Sequence, residues 1–164
     1  MVTDTVLETE LRRLAGSVPD PELPVLTLEE LGVLRGVQIL GPGRVVVELT
    51  PTYMGCPAIE AMSSDIEQVL HDHGVAEVSV VKVLSPAWST DDISPEGRRK
   101  LAEFGIAPPR HGAAAGPVPV SLAVRCPHCG STDTELLSRF SSTACKALRR
   151  CTACREPFDH FKEL

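Results

Sequence analysis

Two C-x2-C pairs near the C-terminus, Cys126-Pro-His-Cys129 and Cys151-Thr-Ala-Cys154, stand twenty-one residues apart and limit what this part of the chain can fold into. Cysteines two residues apart sit on one tight turn and fill two corners of a tetrahedron, so two such turns complete it. The spacing is close to that of a zinc ribbon, and it favours zinc over iron. Gly130 follows the first pair and supplies the positive φ a knuckle needs. Arg155, in the same place after the second pair, fits less well. The alternatives are two disulfides, or cysteines packed as small hydrophobes. Val124, Leu136, Leu137, Phe140, Leu148, Phe158 and Phe161 are too few apolar residues to secure this segment unaided. Short antiparallel strands around a metal ion are therefore expected.

Composition narrows the function classes. The 164 residues suit one medium domain and one small one. No stretch approaches the length of a membrane span, and the N-terminus MVTDTVLETELRRL lacks a basic segment followed by an apolar one. A cytoplasmic location without membrane contact is the expectation, and in that reducing compartment six cysteines read as ligands or reactive thiols. Residues 1–120 carry 9 of the basic and 17 of the acidic residues, and residues 121–164 carry 7 and 5. Four thiolates on a divalent ion add about two negative charges, which cancels the basic excess of the tail. Neither half fits a polyphosphate binder. A nucleic-acid partner is not expected, since only Arg149-Arg150 suggests a basic face. There is no Ser/His/Asp constellation, P-loop or G-x-G-x-x-G, so the chain does not read as an independent enzyme.

Leu7, Leu11, Leu14 and Val18 form the stripe of a first amphipathic helix ending near Gly16. Pro19, Pro21 and Pro24 then exclude regular helix and force a loop. Residues 33–40 and 44–50 read as two strands joined by Gly41-Pro42-Gly43, with Val45, Val47 and Leu49 on one face. Ile59, Met62, Ile66 and Val69 mark a helix that starts at Pro57 and ends near Gly74. A strand over residues 76–84, a loop around Trp88 and a short helix capped by Ser94 follow. The fold class is α/β: a small α-β-β-α-β-α sandwich over residues 1–106, a Pro/Gly/Ala-rich linker over 107–120, and a ribbon over 121–164.

Cys56 stands just before the second long helix, where free N–H groups stabilise an anion and make a thiolate a better nucleophile and metal ligand. A buried small residue at a helix cap is the plainer reading. Iron–sulfur clusters normally take four protein thiolates, so cluster handling at Cys56 needs a second protomer, Cys145 or ligands from a client. Cys145 lies outside both knuckles and reads equally as core, spare ligand or thiol. Asp20 and Glu22 could offer carboxylates near Cys56 or simply cap an acidic loop. His71 and His73 suit a solvated helix C-terminus, His128 reads as exposed, His111 and His160 carry no pattern, and Trp88 reads as a core or lid residue.

Asp20-Pro21-Glu22, Thr50-Pro-Thr-Tyr-Met-Gly-Cys56-Pro57-Ala58 and Trp88-Ser-Thr-Asp-Asp-Ile93-Ser94 make the first part of the chain resemble the SufT-like family of small iron–sulfur assembly domains. Cys126-Pro-His-Cys129-Gly130-Ser131, Ser142-Thr-Ala-Cys145-Lys146-Ala147 and Cys151-Thr-Ala-Cys154-Arg-Glu-Pro-Phe158-Asp159 resemble the PaaD family, also called PaaJ, accessory subunits of the bacterial phenylacetyl-CoA epoxidase system. The resemblance implies a part in aerobic phenylacetate catabolism beside a di-iron oxygenase and a reductase with flavin and a [2Fe–2S] cluster. The role it implies is maturation or maintenance of a metal centre. Carried over by position, Cys56 is the distinctive cysteine of the first domain, handling iron or a transient iron–sulfur cluster, and Cys126, Cys129, Cys151 and Cys154 hold zinc. Members of this family often have a further cysteine after the Phe-Lys pair, where this chain has Glu163-Leu164. Expected partners are the oxygenase and reductase subunits; homodimerisation stays open. The alternatives are a structural subunit bridging oxygenase and reductase, a thiol-redox enzyme using Cys56, and a nucleic-acid-binding ribbon.

Overall fold

The computed structural model describes the backbone of residues 2–110 and 123–163, with side chains from Val6 onward. It divides into two units, Met1–Trp88 and Ser89–Leu164.

In the first unit, helix α1 (Val2–Gly16) buries Leu11, Leu14 and Ala15, and Val18 is buried just beyond its end. Leu7, expected on the same stripe, is half exposed. The proline loop is organised by Asp20, whose Oδ1 accepts from the amides of Glu22 (2.8 Å) and Leu23 (2.7 Å). The loop closes through a bridge between Pro19 and Thr27. A one-turn helix α2 (Leu28–Leu31) follows, held by a capping box in which Thr27 and Glu30 satisfy each other's backbone amides. It ends at Gly32, whose φ of 78° favours glycine.

Strands β1 (Leu34–Gly41) and β2 (Arg44–Leu49) form the expected hairpin, with Val37 opposite Val47 and Ile39 opposite Val45. Val45, Val47 and Leu49 are buried on one face. Helix α3 (Ala58–Asp72) then carries the chain to β3 (Glu77–Lys82), which runs parallel to β2. A helix between them is what a parallel pair requires. The sheet order is β1-β2-β3; α1 packs on β1, α3 on β3, and the two helices on each other. The buried stripe of α3 is Ala58, Met62, Ile66 and Leu70, a run of i, i+4 steps. The stripe read from sequence shared Met62 and Ile66 but took Ile59 and Val69, which lie at its half-buried borders. Trp88 closes the unit: it is buried, and its indole N–H donates to the Leu31 carbonyl at 2.9 Å.

The second unit opens with a 3₁₀ turn (Thr90–Asp92) and helix α4 (Pro95–Glu103), whose N-cap Ser94 accepts from the Gly97 amide as the sequence suggested. Arg98 is buried and donates to the carbonyls of Ile93, Thr90 and Pro109, tying the ends of this segment together. Burial lowers its pKa, with Asp91 opposing. Strand β4 (Ile106–Ala107) pairs in parallel with β7 (Pro157–Phe161). Strands β5 (Thr134–Ser138), β6 (Lys146–Cys151) and β7 form the antiparallel ribbon, and the sheet order is β4-β7-β6-β5.

The α-β-β-α-β-α order is present, with α2 added. The division falls after Trp88 and not at the expected residue 106, because α4 leads directly into β4, a strand of the ribbon's own sheet. The expected linker overlaps β4 at Ala107, and its residues 111–120 lie outside the described residues.

Candidate metal centre

The two knuckles are built alike from backbone. In the first, the Cys126 amide donates to the Ser131 carbonyl (2.8 Å) and the Gly130 amide to the Cys126 carbonyl (2.9 Å). In the second, the Cys151 amide donates to the Glu156 carbonyl (3.0 Å) and the Cys154 amide points at the Cys151 sulfur (3.5 Å). Gly130 has φ 76° and Arg155 has φ 68°, the one described non-glycine residue at positive φ. Arg155 thus takes the conformation for which its side chain is poorly suited, since a Cβ in the left-handed region costs about 1–2 kcal/mol. Arg155→Gly is expected to stabilise the second unit by up to about 1 kcal/mol after glycine's extra chain entropy is subtracted. Urea unfolding of the metal-loaded protein checks this.

The four sulfurs of Cys126, Cys129, Cys151 and Cys154 all lie within 4.8 Å of one another. Two of the edges are 3.8 Å (Cys126 to Cys154) and 3.5 Å (Cys129 to Cys151). A tetrahedral ion with metal–sulfur bonds of about 2.3 Å needs sulfur–sulfur edges of about 3.8 Å, so the tetrad fits such an ion. Without a cation the thiols compete for protons. The Cys154 amide and the Cys129 thiol draw Cys151 down to about 7. Cys154 accepts from the Glu156 amide, but loss of water and its three sulfur neighbours push it up to about 12. Four sulfurs this close cannot all ionise unless a divalent ion supplies opposite charge. Disulfide geometry, with sulfurs about 2 Å apart, is not adopted. A small apolar cluster of Ala107, Val124, Cys126, Cys151 and Phe158 backs the site.

The remaining candidates are placed as follows. Cys56 is buried ahead of α3, at the end of a loop in which Gly55 has φ 80° and Met54 is 79% exposed. Pro57 is the N-cap, so α3 starts at Ala58, one residue later than expected. Asp20 is buried with Oδ1 engaged by its own loop, and Glu22 is half-buried. Cys145 is buried in the ribbon with its sulfur 3.1 Å from the Thr143 hydroxyl, and it is not part of the tetrad. His71 and His73 are exposed at the end of α3 and bond backbone carbonyls of Val75 and Val69. His128 is exposed, and His111 lies outside the described residues.

His160 carries no sequence pattern, yet it is 6% exposed beside Glu163, which in turn meets Arg110. Burial holds its imidazole below the ordinary value, against the pull of Glu163. Lys146 is likewise buried and paired with Asp159 at 3.6 Å. Neither burial had a periodic signal, because β6 and β7 are only 6 and 5 residues long.

Residues 8–84 match the family described as "Iron-sulfur cluster assembly protein", and residues 113–162 match "PaaD zinc beta ribbon domain". A protein of Escherichia coli strain K12, provisionally named as one of the subunits of 1,2-phenylacetyl-CoA epoxidase, is 48% identical over 153 residues, 93% of this chain and 91% of that protein. The chain belongs to the PaaD family. Another relative, the Fe-S protein maturation auxiliary factor of Porphyromonas gingivalis, is 30% identical over 95 residues, 57% of this chain and 90% of that protein. The crystal structure of a DUF59 domain of unknown function from Bacillus anthracis superposes with a TM-score of 0.57 at 28% identity, covering 61% of this chain and 95% of that one. PaaD membership thus joins an assembly-type α/β domain to a four-cysteine ribbon. Among the described residues no helix is long and apolar enough to cross a membrane.

Proposed function

We propose that the chain is a non-catalytic accessory protein of a phenylacetyl-CoA epoxidase system that works in the cytoplasm and matures or maintains an iron centre of the oxygenase or reductase. The observation that carries this reading is the pairing, on one chain, of the iron–sulfur assembly domain matched over residues 8–84 with the PaaD ribbon matched over 113–162. The near full-length likeness to the Escherichia coli epoxidase protein supplies the client system, and the Porphyromonas gingivalis relative supplies the maturation role. In this reading the Cys126, Cys129, Cys151 and Cys154 tetrad holds zinc and shapes the ribbon. Iron or a transient cluster is the cargo, and Cys56 is the protein's own ligand for it. Asp20 supports its loop, so the cargo proposal rests on Cys56.

Burial of Cys56 supports a second reading, a structural subunit that docks without handling metal, because a buried thiol meets a client only after its loop moves. The same burial counts against a thiol-redox enzyme, whose nucleophile needs access. Cys56→Ala separates the first two readings. The variant is expected to keep its fold at a cost of about 1 kcal/mol and to keep its zinc. Co-expressed with the epoxidase subunits, it should lower the iron or sulfide content of the client by about tenfold. Full client metal content and activity with Cys56→Ala would leave only the docking role.

A further inference from the structure

Among the described residues of the second unit, the exposed large apolar ones are Phe104, Leu136, Leu137 and Phe140, and three of these four fall within five residues of chain. Leu136 is 49% exposed, Leu137 48% and Phe140 64%. They lie on and just after β5, the terminal strand of the β4-β7-β6-β5 sheet. A register shift between Leu136 and Ser138 sets Leu137 as an extra residue opposite β6, a bulge that turns two successive leucines outward. Sheet edges are ordinarily blunted with charge, proline or a bulge, and this bulged edge still exposes large apolar side chains. It presents Leu-Leu-Ser-Arg-Phe. Folding does not account for it, since the small ribbon core is built from other residues.

The surroundings are cationic. Arg139 and Arg150 are exposed, and Arg149 stands opposite Leu136 in the register. Lys162 lies over the Phe140 ring at 4.6 Å and donates to the Arg139 carbonyl at 3.1 Å. Glu135 pairs with Arg150, and the partly buried Arg149 faces Glu163 and donates to Thr134, so Arg139 and Lys162 are the cations this edge offers to a ligand. The basic excess is local, in a chain with net charge −6.

We propose that the β5 edge with Leu136, Leu137 and Phe140 is a docking site for an extended acidic segment of a partner protein, which adds as a strand and places apolar side chains on this patch. Main-chain pairing supplies affinity, alternate side chains meet the leucines and the phenylalanine, and the cations select carboxylates. A nucleic acid is disfavoured because one phenylalanine offers a single stacking surface and leucines offer none. A second copy of this chain is disfavoured because the same basic edge would face itself. The proposal rests on the reading of the chain as an accessory protein that acts on a client.

The test uses the full zinc-loaded chain and a synthetic peptide, acetyl-Asp-Val-Glu-Phe-Asp-Val-Glu-amide, with a counterpart in which lysine replaces each acid. Titration calorimetry at low salt should show binding of the acidic peptide alone, weakened at least tenfold in a Leu137→Ser/Phe140→Ser variant that retains its zinc. Hydrogen exchange should show new protection of amides 134–138. Arg139→Glu should weaken binding several-fold. No binding, equal binding of the lysine peptide, protection elsewhere in the chain, preference for a single-stranded oligonucleotide, or self-association lost in the double variant would each overturn the proposal. If the peptide binds as described while wild type and Cys56→Ala leave the client's iron equal, the docking site stands and the maturation reading fails.

Discussion

Cys151→Ser is expected to strip the ribbon of its metal and unfold it, the largest single effect available in this chain. Structural zinc contributes about 10–16 kcal/mol of apparent folding free energy in small zinc domains. The apolar support is small: a cluster of Ala107, Val124 and Phe158 with Cys126 and Cys151, two of the ligands themselves, and beside it the buried Ile106, Ala147 and Phe161. Cys151 is fully buried at the end of β6, so a serine there also leaves a poor ligand where water cannot compensate. Zinc content should fall well below that of wild type, and amides of β5, β6 and β7 should lose hydrogen-exchange protection. Amides of β2 and α3 belong to the other unit and should keep theirs. Cys145→Ser is the control. Cys145 is buried but outside the tetrad, so the variant should keep its zinc and lose about 1 kcal/mol. Retention of zinc and ribbon protection by Cys151→Ser would show that the tetrad does not fold this unit.

Trp88→Ala should destabilise the first unit by about 3–5 kcal/mol, the range for truncating a buried aromatic residue. The side chain is 6% exposed, and its N–H is a donor to the Leu31 carbonyl at the end of α2. Trp88→Phe refills part of the volume but omits that donor, and should lose about 1–3 kcal/mol. Since Trp88 is the single tryptophan, its fluorescence reports on wild type only, and circular dichroism in urea must serve for the variants. If Trp88→Ala unfolds at the wild-type urea concentration, Trp88 does not close the core of this unit.

Local chemistry made much of this molecule legible. The C-x2-C pairs implied a tetrad because tight turns leave few geometries for the sulfurs, and the Gly41-Pro42-Gly43 hairpin and the Ser94 cap were read from residues whose backbone preferences are strong. What failed to show were features set by tertiary contact. The four-residue α2 carried its capping box at Thr27 and Glu30 but is too short to have a period. The α3 stripe was offset because Ile59 and Val69 are apolar yet lie at the edges of the buried face. Leu136, Leu137 and Phe140 counted among the few apolar residues of the ribbon, and their exposure on and just after an edge strand followed no composition rule. Arg155 shows a knuckle overriding a residue's preference, since the Cys151 to Glu156 backbone bond and the cysteine positions fix its φ. The division after Trp88 was hidden because β4 is two residues long and pairs with a strand about fifty residues later.

The central claim is a division of labour, with a resident zinc in the ribbon and iron cargo at Cys56. Its most direct test is the zinc, iron and acid-labile sulfide content of anaerobically purified wild-type and Cys56→Ser protein after reconstitution with iron and sulfide. The account predicts about one zinc per chain in both proteins, with iron and sulfide bound by wild type and absent from the variant. Zinc alone in both proteins, or equal iron and sulfide in both, would contradict it.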